Sequence, residues 1–150
     1  MGFRTLEEII HFAVQREETA YRLYKEAARK STSIAARKMF EEIAAEEAGH
    51  KEVFSRADLV EAAQQSSGKV PDMKLAEYMV DVPLRPDMSY DEIIRHAMKT
   101  EENAYRLYTA AAELTDDPKL KKTLLAFADV EKGHKRRLED IYDERVMTEM

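Results

Sequence analysis

Six residues that could bind metal recur in two matched sets along the chain. The segment EIIHFAVQREETAYRLYKEAA at 8–28 returns 84 residues later as EIIRHAMKTEENAYRLYTAAA at 92–112, with 13 of 21 positions identical. The same offset places EEAGHK at 46–51 over VEKGHK at 130–135. Each copy therefore contains a glutamate followed 30 residues later by Glu-x-x-His. The members are Glu17, Glu47 and His50 in the first copy, and Glu101, Glu131 and His134 in the second.

This spacing is typical of a carboxylate-bridged pair of metal ions inside a four-helix bundle. Four glutamates carry four negative charges, and two divalent cations neutralise them, so the charge count favours two metals. We expect the metals about 3.5–4 Å apart. Oxygen-rich ligation with one imidazole per metal suits iron or manganese better than structural zinc. The expected assignment is Glu17 and His50 on one metal, Glu101 and His134 on the other, and Glu47 and Glu131 as bridges.

The six residues lie inside apolar stripes rather than on charged faces. A single Glu-x-x-His on a helix usually has no metal role, so the metal-site prediction depends on the apolar stripes and on the repetition of the motif. Apolar residues separated by three and four positions form one buried helix face. The last stripe, with two ligands inside it, comprises Leu120, Leu124, Phe127, Glu131, His134, Leu138 and Ile141.

Four long helices are predicted to position these ligands. Their expected extents are about 6–30, Ser33 to the mid-60s, about 90–114, and 118 to the mid-140s. Capping boxes at 5–8 and 89–92 predict two of the starts, and Asp117-Pro118 predicts the last. Gly68 and Pro71 are expected to end the second helix.

The chain is predicted to be one all-α domain over 1–150, a four-helix bundle with an internal two-fold pseudo-repeat. The first repeat covers about 5–66 and the second about 89–146, and each is an antiparallel hairpin because its helices are joined by few residues. The 22 residues at 67–88 form the link between the hairpins, with room for a short helical turn near 75–79. An extended link of that length covers roughly 70 Å, so it can cross the whole bundle.

Neighbouring residues are weaker candidates. Tyr24 and Tyr108 follow the helix-1 and helix-3 glutamates by two turns, and could either donate to a ligating carboxylate or pack as core aromatics. Glu18 and Glu102 lie about 100° round the helix from the ligands, which favours a stripe-edge or solvent position. Glu46 has no acidic counterpart, since the second copy has valine there.

Composition narrows the function classes. The net charge of −6 argues against nucleic acid as a partner. The absence of cysteine excludes disulfides, iron–sulfur clusters and thiolate metal sites, and fits a cytoplasmic protein. No apolar run approaches 18 residues and the N-terminus lacks a signal-peptide core, so neither a membrane span nor secretion is expected.

With E-x-x-A-x-x-x-Y at 17–24 and 101–108 beside the two Glu-x-x-His motifs, the chain resembles the rubrerythrin and erythrin branch of the ferritin-like superfamily. The resemblance covers nearly the whole chain. It implies a ferritin-like bundle with a non-haem di-iron centre that reacts with hydrogen peroxide or oxygen as a peroxidase or ferroxidase. Manganese or zinc could substitute for iron, and a homodimer or higher homo-oligomer is expected.

The chain departs from the rubrerythrin pattern in two places. It has no cysteines for a rubredoxin-like domain, so electrons are expected from a separate donor such as a rubredoxin. Ala104 stands where rubrerythrins have an extra glutamate that takes part in a redox-linked ligand exchange. No fifth helix is expected after the fourth, which disfavours a 24-subunit storage shell. Iron handling for storage or transfer, and a metal-stabilised helical scaffold, are the alternatives to an oxidoreductase.

Overall fold

The computed structural model describes residues 5–66, 85 and 87–149, with side chains to residue 145. All regular structure within these ranges is helical. The helices are α1 (Leu6–Lys30), α2 (Ile34–Phe54), α3 (Ala57–Gln65), α4 (Tyr90–Ala112) and α5 (Pro118–Glu149). The all-α bundle predicted from the sequence is confirmed. The link at 67–84, with its expected helical turn, lies outside the described residues.

Each long helix begins where a polar side chain accepts a hydrogen bond from an otherwise unpaired backbone amide. Thr5 accepts from the Glu8 amide at 3.2 Å, and Ser89 accepts from the Glu92 amide at 3.1 Å. The Ser33 hydroxyl and the Asp117 carboxylate make the same bond at the starts of α2 and α5. The predicted starts are therefore confirmed, and they fix the register of every ligand.

The prediction of one helix from Ser33 to the mid-60s is wrong. The helix breaks after Phe54, and Arg56 adopts an extended conformation (φ −69°, ψ 139°) before α3 begins. The Ser55 hydroxyl donates to the Lys51 carbonyl at 2.8 Å, a local bond that competes with helix continuation. The break turns α3 across the end of the bundle, where its apolar residues Leu59 and Ala63 are buried. Neither glycine nor proline marks the position, so the sequence pattern does not reveal it.

Two apolar layers fill the bundle. The first layer joins the start of α1, the end of α4 and the start of α5, and its large members include Ile9, Phe54, Leu107 and Leu120. The second layer joins the end of α1 to the start of α4, and includes Leu23, Phe40, Ile94 and Leu138. Since the start of α1 meets the end of α4, these two helices run antiparallel. The ligand candidates lie between the layers, midway along the four long helices.

Within the described ranges, no helix is both long enough and apolar enough to cross a bilayer.

Candidate metal centre

The four glutamates predicted as ligands are completely removed from solvent. Glu17, Glu47, Glu101 and Glu131 are each 0% exposed, and we call them the carboxylate cluster. His50 is 7% exposed and His134 is 2% exposed. Burying even one unpaired carboxylate costs several kcal/mol, so four together require positive charge. Bound protons or cations must therefore offset these charges, and the arrangement of the side chains indicates how many cations fit.

The six side chains form two overlapping sets of four. The first set combines Glu17 and His50 with Glu47 and Glu131, and the second combines Glu101 and His134 with the same two glutamates. Within each set, one ligand atom from every residue lies within 4.8 Å of the others. A central ion with bonds of about 2.0–2.2 Å needs ligand atoms within about 4.4 Å, so small side-chain movements suffice.

Both histidines turn Nδ1 toward the carboxylates. His50 Nδ1 lies 3.5 Å from Glu17, 3.5 Å from Glu47 and 3.3 Å from Glu131. His134 Nδ1 lies 3.5 Å from Glu47, 3.7 Å from Glu101 and 3.7 Å from Glu131. Only Glu47 and Glu131 approach both rings. This is the geometry expected of two bridging and two terminal carboxylates.

Unpaired buried atoms test whether the six residues suit metal ions. Every one of them has a buried atom without a hydrogen-bond partner: Glu17 Oε2, Glu47 Oε1, Glu101 Oε2, Glu131 Oε1, His50 Nδ1 and His134 Nδ1. Such atoms are rare in folded proteins and need an explanation. All six face the same interior space and all are metal-ligand atoms. The residues present therefore fit a pair of divalent cations.

The two tyrosines bind the carboxylates of the opposite repeat. The Tyr24 hydroxyl donates to Glu101 Oε1 at 2.5 Å, and the Tyr108 hydroxyl donates to Glu17 Oε1 at 2.7 Å. Each bond occupies one oxygen of a terminal glutamate and leaves the other unpaired. Burial, followed by the nearby carboxylates, raises both tyrosine pKa values well above 10, so the hydroxyls stay protonated. The structure shows both sequence interpretations, since the hydroxyls donate to the carboxylates while the rings pack in the apolar layers, Tyr24 on Phe40 and Tyr108 on Phe54.

Glu46 contacts the predicted ligand His134, which sequence reasoning missed. Its Oε2 lies 2.8 Å from His134 Nε2, the ring nitrogen that points away from the cluster. A carboxylate at this nitrogen favours a proton there, which leaves Nδ1 free to bind metal and makes it a stronger donor. The valine at the equivalent position of the second repeat therefore gave no indication that Glu46 contacts the site. His50 stacks instead on Phe127, with ring centroids 4.0 Å apart.

Arg16 also enters the site, and no sequence signal indicated it. Its side chain is 7% exposed, and Nη1 lies 3.1 Å from Glu17, 2.9 Å from Glu47 and 2.5 Å from Glu131. Its Nη2 lies 3.4 Å from Glu101. One guanidinium thus contacts the whole carboxylate cluster. The equivalent residue of the second repeat is Thr100, whose hydroxyl donates to the His96 carbonyl on its own helix at 2.9 Å.

Protonation equilibria in the cluster are strongly displaced. Burial, with repulsion from neighbouring glutamates, raises the pKa of Glu131 to about 7 and that of Glu47 further above its usual range. Burial also opposes ionisation of Glu101, but Arg16 and His134 outweigh it and hold its pKa at about 2. Burial lowers the pKa of His50, but Glu131 and Glu17 outweigh it and raise the pKa to about 9. Without metal, the cluster therefore retains protons that a metal ion would displace.

The remaining acidic candidates do not join the cluster. Glu18 pairs with Lys51 at 2.8 Å, and Glu102 pairs with Arg106 at 3.1 Å. Both are half-buried at the edge of the bundle, as expected from their helix positions. Ala104 is 2% exposed and packs in the first apolar layer, so that position adds no carboxylate.

Comparison with known proteins agrees with this geometry. The rubrerythrin family model matches residues 3–58 and 72–149. No curated protein matches the sequence significantly.

Solved structures share the fold along nearly the whole chain. A hypothetical protein from Pyrococcus furiosus is 26% identical with a TM-score of 0.78, covering 97% of this chain and 93% of that one. A putative ferritin-like diiron-carboxylate protein from Thermotoga maritima is 24% identical with a TM-score of 0.71, covering 97% and 99%. KatB, a manganese catalase from Anabaena, is 16% identical with a TM-score of 0.68, covering 96% and 74%. The chain belongs to the rubrerythrin family.

Proposed function

We propose that this member of the rubrerythrin family is a non-haem di-iron oxidoreductase that reduces hydrogen peroxide or oxygen. The observation that supports the proposal most is the pair of overlapping four-residue sets that share Glu47 and Glu131. A family match alone supports only a ferritin-like di-metal protein. The unpaired inward atoms on all six side chains support a working metal centre rather than a relic of ancestry.

Each metal has a terminal pair of ligands and a shared pair. Glu17 and His50 would hold one ion, and Glu101 and His134 would hold the other. Glu47 and Glu131 would bridge them, since only these two approach both histidines. Two divalent ions balance four carboxylates when the histidines are neutral.

When bound, a pair of ferrous ions supplies the two electrons that convert one hydrogen peroxide and two protons into two waters. The side chains supply position and exclude water. Tyr24 and Tyr108 hold the terminal glutamates at one oxygen each, which directs the other oxygen inward. The apolar layers above and below the cluster keep bulk water out. Restoring the ferrous state requires two electrons from a reductant, and a rubredoxin is the donor we propose.

Manganese should be tested beside iron. Carboxylate-rich ligation with one imidazole per ion suits both metals, so the ligand set does not select between them. One structural neighbour is named a manganese catalase. Its low identity supports the fold alone, and iron remains the proposal on the strength of the family. Metal analysis of protein purified without added metal identifies the native ion.

Stopped-flow oxidation of the iron-loaded protein tests the proposed reaction. The diferrous protein, mixed anaerobically with peroxide, should be oxidised with one peroxide consumed for every two irons. Oxygen should be tested in a parallel experiment. Glu101→Ala should abolish this stoichiometry, and Glu102→Ala is the matched control because Glu102 pairs with Arg106 outside the cluster. A diferrous wild type that is inert to both oxidants would contradict the proposal. Iron retained well beyond two ions per chain would instead indicate iron handling.

A further inference from the structure

Arg16 is the one cation among the described residues that contacts all four glutamates, and its contacts are unevenly distributed. Nη1 lies within 3.1 Å of Glu17, Glu47 and Glu131, which are the three carboxylates of the His50 set. Arg16 contacts the terminal carboxylate of the His134 set less closely. Glu101 is approached only by Nη2, at 3.4 Å.

The unpaired atoms are matched at the two positions, so the contacts of Arg16 and of Glu46 distinguish them. Arg16 faces Oε2 of both bridging glutamates, while Oε1 of both faces the histidines. These two Oε1 atoms form a four-atom set without hydrogen-bond partners with Glu101 Oε2 and His134 Nδ1, and equally with Glu17 Oε2 and His50 Nδ1. The other oxygen of each terminal glutamate contacts Arg16 and a tyrosine. The positions differ because Arg16 donates a hydrogen bond to Glu17 at 3.1 Å but only approaches Glu101, at 3.4 Å, and because Glu46 contacts His134 from behind.

We propose that Arg16 is a built-in counter-cation that makes the two metal positions unequal, so that the first ion binds between Glu101 and His134 and the second binds at Glu17 and His50 only after Arg16 withdraws. This inference rests on the proposed two-metal function. It concerns the order in which the two metal ions bind and their affinities. The symmetric ligand set alone would predict equal affinities.

Charge balance agrees with this order. Four carboxylates and one guanidinium carry a net charge of about −3, and one divalent ion brings it to about −1 with Arg16 still in place. A second divalent ion brings the net charge to about +1 with Arg16 in place and to about zero once Arg16 has withdrawn, so a retained guanidinium leaves excess positive charge in a buried space. If Glu47 and Glu131 hold both metals, the oxygens that Arg16 contacts would be needed for the second ion. The second ion therefore replaces the guanidinium rather than joining it.

Withdrawal is sterically and energetically reasonable. Arg16 is 8% exposed whereas every glutamate of the cluster is 0% exposed, so Arg16 is the member of this contact group with some access to solvent. Its Nε and Nη2 atoms are buried without hydrogen-bond partners among the described residues. Movement outward would hydrate these donors, which partly offsets the loss of the ion pairs.

Titration of metal-free protein with Mn²⁺, followed by calorimetry, measures the effect. Wild type should bind two ions in separate phases, and Arg16→Thr, which copies Thr100, should tighten the second phase by at least about tenfold, or 1.4 kcal/mol. The same variant should lower the melting temperature of metal-free protein, because the carboxylate cluster loses its counter-charge. Arg22→Thr is the matched control, since Arg22 pairs with Glu18 on the surface of the same helix.

Crystals grown with one equivalent of Mn²⁺ should place the anomalous signal at Glu101 and His134. The exchange variant Arg16→Thr/Thr100→Arg should move that signal to Glu17 and His50. Fully loaded wild type should show Arg16 beyond hydrogen-bond distance of Glu47 and Glu131, a measurement that needs no variant. This inference would be wrong if the two ions bound with equal affinities, or if Arg16 still contacted Glu47 and Glu131 in the fully loaded protein. Either result would leave the proposed function intact. Failure of wild type to bind any metal would refute the proposed function, and the inference with it.

Discussion

The two repeats keep the same six ligand positions but differ in what surrounds them. Repeat 1 contributes Arg16 where repeat 2 has Thr100, and Glu46 where repeat 2 has Val130. Both differences act in the same direction. Arg16 donates a hydrogen bond to Glu17 at 3.1 Å but only approaches Glu101, at 3.4 Å, and Glu46 contacts His134 of the second repeat. Ligand symmetry in the sequence therefore does not imply equivalent metals in the protein.

The helices of the two repeats also differ beyond the site. After Phe54 the first repeat breaks and turns into α3, whereas α5 continues unbroken through the equivalent positions 139 and 140. The ligands precede the break, so their spacing is unaffected. The two repeats are therefore alike in the central segment of each hairpin and differ at its end.

The largest effect should come from the shared glutamates. Glu131→Ala or Glu47→Ala removes a ligand from both positions, so both metals should be lost and peroxide turnover abolished. Glu17→Ala should weaken only the His50 position. Metal content after dialysis, measured by mass spectrometry, separates these outcomes. If Glu131→Ala retained one tightly bound ion, Glu131 would be a terminal ligand rather than a bridge.

The metal-free protein should become more stable as pH falls from about 9 to about 4.5. The folded-state pKa of His50 is about 9, above its ordinary 6.5, so the stability that its protonation adds is lost as pH rises through 9. The pKa of Glu131 is raised from 4.5 to about 7, so its protonation also stabilises the folded state as pH falls, by on the order of 3 kcal/mol. Glu101 acts oppositely: its pKa is lowered to about 2, so its contribution is lost as pH falls below 4.5.

Urea unfolding of metal-free and metal-loaded protein at several pH values measures this dependence. Metal-loaded protein should show the reverse slope on the acid side, because protons compete with the metal for its ligands. Matching stability curves for the two forms would contradict the displaced pKa values. Arg16→Thr should steepen the metal-free curve, since Arg16 lowers the pKa values of Glu131 and Glu101.

A smaller effect is expected from the support behind His134. Glu46→Ala should lower metal affinity at the Glu101–His134 position by about 10–100-fold, the usual cost of removing such a partner. Glu42→Ala is the matched control, because Glu42 lies one turn earlier on α2 and also pairs with α5, at Arg137. Calorimetry with one equivalent of Mn²⁺ makes the comparison. Equal losses in the two variants would mean that Glu46 contributes only surface charge.

The sequence predicted that the six residues meet in one cluster, and it predicted the caps and the bundle, because these depend on spacing within a helix or between repeats. It missed Arg16 because a charged residue outside the apolar stripe usually faces solvent, and only the packed bundle shows how far its long side chain reaches. It missed Glu46 for a related reason, since that contact joins residues 88 positions apart on different helices. The break after Phe54 was missed because no glycine or proline marks it. Side-chain reach and tertiary contacts thus limited the prediction.

The smallest effect should come from the tyrosines, where the two repeats are most alike. Tyr24→Phe and Tyr108→Phe each remove one hydrogen bond to a terminal glutamate, worth about 1.5–3 kcal/mol. Both variants should keep two metals, lose similar stability, and change the oxidation rate only a few-fold. Tyr21→Phe is the control, because its ring packs against the edge of the second apolar layer. Thermal unfolding and stopped-flow oxidation provide the readouts. If only one tyrosine variant lost a metal, the two tyrosines would not be equivalent, and the repeats would differ in the hydrogen bonds to their terminal glutamates as well.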